Sequence, residues 1–178
     1  MVSFFIIQRL LRQTESAKSF HGGVYDRGNM LIVGAATGLG LSIPLIADWA
    51  GIAVVQIDLA EGSASLVVML AGAALRVWAA VTLGRFYTTT LMVTEGHRVV
   101  SSGPYARVRN PGYLGEIVLW SGFGVLSGNL LVALLLPVMF VSVYLHRIAA
   151  EEAMLEKELG EDYALYRRGT HRLIPFIY

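Results

Sequence analysis

The chain has 178 residues, 55% of them hydrophobic and 15% charged, with a mean hydropathy of +0.59. Soluble domains carry about 25% charged residues, so this is the composition of a membrane protein. The absence of cysteine excludes disulfides, thiolate metal sites and a cysteine nucleophile, and a net charge of +1 excludes the basic excess that a nucleic-acid partner demands.

Residues 1–29 open with FFII, followed at once by Arg9 and Arg12. The apolar part is too short to span a bilayer, and charge that follows it is the wrong order for a signal peptide. An interfacial segment is expected there. Residues 30–47 are apolar and uncharged, which predicts the first span. Neither GxGxxG nor GxxxxGK occurs among its glycines, so a phosphate loop is not supported. Gly34 and Gly38 instead stand at GxxxG spacing, which predicts close helix packing.

Asp48 to Gly62 reads as a short loop without Lys or Arg, and residues 63–84 as the second span. Arg76 lies inside that span. It either snorkels to the interface or faces inward and holds an anionic ligand or a carboxylate. Next comes HRVVSSGPYARVRNPGYLGE, from His97 to Glu116. Pro104 and Pro111 bias Gly103 and Asn110 away from the α region, which predicts a folded polar loop between apolar runs. Such a loop is a good place for function, although an ordinary Arg-rich connector has the same composition.

Tyr113 to Leu126 and Leu130 to Ile148 form two apolar runs separated only by Ser127, Gly128 and Asn129, a helical hairpin with spans expected at about 113–127 and 130–148. Its first arm is short and carries Glu116; its second contains Pro137, which predicts a kink. The remaining residues, 149–178, form a charged tail. A helix from Glu151 to Arg168 is expected there, with an apolar stripe of Met154, Leu155, Leu159 and Tyr163 and a stop at Gly169. The fold class is therefore an all-α integral membrane protein of about four transmembrane helices, with residues 30–178 forming one domain.

The cations are one-sided. Arg9, Arg12, Lys18 and Arg27 precede the first span, and Arg85, Arg98, Arg107 and Arg109 lie in the second connection. Arg147, Lys157, Arg167, Arg168 and Arg172 follow the last span, and the other two loops hold none. The positive-inside bias places both termini and the polar loop in the cytoplasm. Arg147 and Glu151, four residues apart, share one helix face, where a solvated salt bridge is the plain reading. Glu152 reads as a surface residue. The histidines (His21, His97, His146 and His171) lack HxxH or HExxH spacing, so no metal site is expected, and no GxSxG nucleophile pattern occurs.

From Gly84 to Pro175 the chain resembles the isoprenylcysteine carboxyl methyltransferase family, membrane enzymes related to phospholipid methyltransferases. The resemblance rests on pieces in family order: HRVV, GPYARVRNPGYLG, a hydrophobic hairpin, RIAAEE, LGEDYALY and a terminal RLIP. Upstream, only apolar spans and a DRG element at Asp26 to Gly28 correspond. The resemblance implies S-adenosylmethionine as cofactor, in a cytoplasm-facing pocket. It places His97, Arg98, Val99 and Val100 against that cofactor, with Gly103, Tyr105, Asn110, Pro111, Gly112 and Tyr113 completing the site. Glu151 would hold a polar end of the cofactor and Arg147 would face the acceptor. The departure is Asn110, where better-studied members carry His in an RHPxY motif; Asn keeps a donor and an acceptor but carries no charge. The implied acceptor is a lipophilic small molecule or prenylated chain end at the bilayer. Alternatives are a phospholipid N-methyltransferase, an NADPH-dependent reductase of sterol-reductase type, and a non-catalytic scaffold.

Overall fold

The computed structural model describes residues 28–87 and 98–174. Residues 1–27, most of the expected interfacial segment, and His97 lie outside the described residues. Among the described residues four α-helices follow in order: α1 (Asn29–Trp49), α2 (Leu59–Leu83), α3 (Pro111–Leu126) and α4 (Leu130–Arg168). Short 3-10 turns occupy Gly84–Phe86 and Gly103–Ala106, and the described residues contain no strand beyond two isolated bridges.

Helix α2 begins at Leu59, four residues earlier than the apolar run suggests. The Glu61 amide donates to Asp58 Oδ1 at 2.7 Å and the Asp58 amide donates to Glu61 Oε2 at 3.0 Å. This is a reciprocal capping box, so the acidic residues expected in a loop are the start of the helix. Helix α4 merges the expected fourth span with the charged tail helix and passes through Pro137 with helical dihedrals. Its backbone breaks at Gly160 (φ 56°, ψ −127°), and it stops before Gly169. Three stretches, Asn29–Trp49, Leu59–Phe86 and Leu130–Arg168, are long and apolar enough to cross a membrane. Helix α3 has 16 residues, about 24 Å, and falls short of the ~30 Å hydrocarbon core.

The chain divides into two compact units. One comprises residues 31–76 and 113–146. Within it, α2 and α3 approach to backbone contact. A Cβ at Gly72 would lie 2.5 Å from the Gly115 carbonyl oxygen, and one at Gly122 would lie 2.9 Å from the Ser65 carbonyl oxygen. Lipid removes the ordinary hydrophobic drive between helices, so small residues that allow such approach take over. The GxxxG pair predicted for this role does not fill it: a Cβ added at Gly34 or Gly38 would meet no atom within 4 Å, and both residues are exposed. Gly40, on the opposite face, packs instead, where a Cβ would lie 2.9 Å from the Trp120 ring and 3.2 Å from Phe140.

Arg76 resolves in favour of the inward option. Its guanidinium pairs with Glu116, which also accepts from Trp120 Nε1 at 3.2 Å. Beyond it runs an aromatic ladder: Tyr113 on Tyr144 (5.0 Å), Tyr144 on Phe140 (6.0 Å) and Phe140 on Trp120 (4.4 Å). At the hairpin, Gly128 takes φ +64° and Asn129 caps α4, its Oδ1 accepting from the Val132 amide at 3.1 Å. The Asn129 side-chain amide donates to the Ile52 carbonyl at 2.6 Å, which ties the first loop to the hairpin. Hydroxyls along the helices, including Thr37, Ser42, Ser121 and Ser142, donate to the carbonyl four residues back. No hydroxyl among these faces lipid unsatisfied.

Candidate functional site

The other unit holds, among the described residues, 28–30, 77–87, 98–112 and 147–174. Its polar loop is built on a turn at Gly103, whose φ of +57° penalises any side chain. A Cβ there would lie 3.1 Å from Thr82 Oγ1 and 3.4 Å from Trp78 Nε1. The turn and the neighbouring helix α2 are therefore the first reasons for glycine. Pro104 then opens the 3-10 turn, where its missing N–H costs nothing.

Tyr105 is buried, and its carbonyl accepts from the Tyr166 hydroxyl at 2.8 Å. Burial, and after it the negative charge of Glu151, raise the Tyr105 hydroxyl well above its ordinary pKa. It is a permanent donor at any physiological pH.

The end of the loop docks on the C-terminal segment. Val108 and His171 form a parallel bridge, with the Arg109 amide donating to the His171 carbonyl (2.8 Å) and the His171 amide to the Arg107 carbonyl (2.9 Å). At the centre sits Glu152, 3% exposed. Its Oε1 accepts from Arg109 Nε at 2.9 Å and from Asn110 Nδ2 at a longer 3.4 Å, and its Oε2 accepts from Arg172 Nε at 2.9 Å. Arg109 also donates through Nη1 to the carbonyls of Arg167 (3.0 Å) and Thr170. The Asn110 amide donates to the Arg172 carbonyl at 2.9 Å.

The expectation that Glu152 is a surface residue is thus corrected. Adjacent side chains on a helix point about 100° apart, so the Glu151–Glu152 doublet presents its two carboxylates in different directions. Glu152 is turned onto the Arg109–Asn110 end of the loop, while Glu151 is half-buried and its charge acts on Tyr105. Arg147, one turn before Glu151, is 5% exposed, with fully buried Ile148 beside it. A guanidinium so deeply buried is not the solvated member of a surface pair.

The remaining predicted residues are distributed as follows. Arg98 is exposed, and Val99 and Val100 are half-buried. Pro111 is fully buried as the first residue of α3, and a Cβ added at Gly112 would lie 3.8 Å from Ala79, an ordinary van der Waals distance. Asn110 commits its side-chain amide to Glu152 and the Arg172 carbonyl. Tyr113, in the other unit, stacks on Tyr144. Among the described residues, no group of three or more His, Asp or Glu could hold a metal ion.

The chain as a whole has known likenesses. The profile of the isoprenylcysteine carboxyl methyltransferase (ICMT) family matches residues 65–157. A probable protein-S-isoprenylcysteine O-methyltransferase of Oryza sativa subsp. indica is 30% identical over 114 residues, 63% of this chain and 60% of that protein. A protein-S-isoprenylcysteine O-methyltransferase of Schizosaccharomyces pombe is 31% identical over 109 residues, 53% of this chain and 46% of that one. The aligned part is thus roughly half to three fifths of these relatives' length. In fold, the chain is similar to the solved eukaryotic intramembrane Ras methyltransferase ICMT, with a TM-score of 0.69 at 22% identity over 97% of this chain and 61% of that one. The apolar helices and this likeness make it an integral membrane protein. The matched profile takes in most of α2, the polar loop, α3 and the Arg147–Glu152 segment, more than half of the sequence, and the chain belongs to the isoprenylcysteine carboxyl methyltransferase family.

Proposed function

We propose that this chain transfers a methyl group from S-adenosylmethionine to the carboxylate of a lipophilic acceptor of the isoprenylcysteine type. The observation that carries the reading is the buried guanidinium of Arg147, one helical turn from half-buried Glu151 and at the end of the apolar part of α4. The donor set suits the cofactor. Glu151 supplies negative charge for a cationic ligand, Tyr105 is a permanently protonated hydroxyl within the field of Glu151, and Val99 and Val100 are half-buried loop residues with backbone groups for a ligand.

When bound, the cofactor supplies an electrophilic methyl group on a sulfonium, which departs as a neutral thioether. A carboxylate acceptor is already the nucleophile and needs no base. The work left to the protein is orientation and exclusion of water, where effective molarity is worth ~7–11 kcal/mol. Arg147 would hold the acceptor carboxylate with its planar fork, in surroundings dry enough to strengthen that bond. Glu151 would oppose the positive charge of the cofactor. The one-sided cations support a cytoplasmic loop and termini, with the acceptor's apolar tail in the bilayer.

Calorimetry on the detergent-purified chain tests the ligand. S-adenosylmethionine should bind and NADPH should not. Binding of NADPH alone would favour the reductase, and binding of neither the scaffold.

A further inference from the structure

We infer that Glu152 is a positioning residue. It clamps the cofactor loop to the C-terminal segment and thereby sets affinity for S-adenosylmethionine, while taking no part in the transfer itself. The inference rests on the reading just proposed for the ligand; the clamp rests on geometry alone. One carboxylate, 3% exposed, receives Arg109 and Asn110 from the loop and Arg172 from the tail. Arg109 fastens the same two segments a second time through the carbonyls of Arg167 and Thr170. Two backbone hydrogen bonds, between Arg109 and His171 and between His171 and Arg107, complete the seam.

An assembly of three charges is a poor way to gain stability, because desolvation offsets most of the Coulomb attraction. What it provides is register: both guanidinium groups find a low-energy position only when the loop and tail are aligned on α4. Helix α4 also carries Arg147 and Glu151, respectively five residues and one residue before Glu152. The clamp therefore fixes the loop that carries Tyr105, Val99 and Val100 relative to the two residues proposed to face ligands. Asn110 is assigned here to the clamp, since both described contacts of its side-chain amide belong to it.

Glu152→Gln tests this, because it keeps the shape and one acceptor oxygen but removes the charge shared by the two arginines. Hydrogen exchange on the ligand-free protein reads the clamp. Peptides covering 105–110 and 169–173 should exchange about tenfold faster, the size expected for one lost charge-assisted bond, with no change in 128–132 at the hairpin. Kinetics read its consequence: the dissociation constant and KM for S-adenosylmethionine should rise about tenfold, with kcat at saturation within about twofold. Faster exchange throughout the chain, or no change at the seam, would overturn the clamp. A fall in kcat at unchanged cofactor affinity would overturn the positioning role and make Glu152 a participant in transfer. If the unmodified chain binds no S-adenosylmethionine, the proposed function fails and the ligand half of this inference falls with it, while the exchange experiment still decides the clamp.

Discussion

Arg147→Ala should lower the rate of methyl transfer at saturating cofactor about ten- to a hundredfold, the value of a charge-assisted hydrogen bond to the acceptor. Its affinity for S-adenosylmethionine should stay within about twofold of the unmodified chain, because the lost partner belongs to the acceptor. Arg147→Lys should recover only part of the rate, since an ammonium cannot reproduce the planar fork. Glu151→Gln should act in the opposite way, weakening cofactor binding while the rate at saturation holds. An exposed Arg–Glu pair would behave differently: removing either partner would cost only ~0–1 kcal/mol and both parameters would move little. The burial of Arg147 already argues against that alternative. Cofactor affinity by calorimetry and initial rates with a prenylcysteine acid separate the cases.

Gly72→Ala should be the most damaging single methyl group in the helices. The added carbon would stand 2.5 Å from the Gly115 carbonyl oxygen and 2.5 Å from the Leu119 nitrogen. Both are backbone atoms, so no rotamer change relieves the clash and α2 must move from α3. Overpacking of this kind costs ~3 kcal/mol. The same movement would strain the Arg76–Glu116 pair, whose partners lie beside the closest approach. Gly34→Ala is the internal control, since open space surrounds that position and alanine improves helix propensity by ~1 kcal/mol. Thermal unfolding in detergent should show a clear loss for the first variant and none for the second. Equal midpoints would mean that the two helices do not pack this closely.

These expectations also mark how far the sequence could be read. Apolar runs located the four helices of the described residues, because burying or immersing uncharged stretches leaves a simple one-dimensional signal. Helix ends were less legible: Asp58 and Glu61 look like loop residues until their reciprocal hydrogen bonds are seen. The face of a helix was harder still. Gly34 and Gly38 have the right spacing and the wrong side, while Gly72 meets Gly115 across two helices, a pairing that no local spacing reports. In the loop, GPYA and RNPGY announced a folded turn. The role of Glu152 stayed hidden because its partners, Arg109, Asn110 and Arg172, lie 43, 42 and 20 residues away. One signal was available: two adjacent glutamates on a helix point about 100° apart, so the pair need not share one exposed face.

The most direct test of the account is methyl ester formation by the unmodified chain in sealed membrane vesicles. S-adenosylmethionine labelled in its methyl group, which does not cross the bilayer, is added outside, together with a prenylcysteine acid that partitions into the membrane. Inside-out vesicles should place base-labile label on the acid, and right-side-out vesicles should not. Label from right-side-out vesicles alone would reverse the orientation, and its absence from both preparations would contradict the proposed carboxyl methyl transfer.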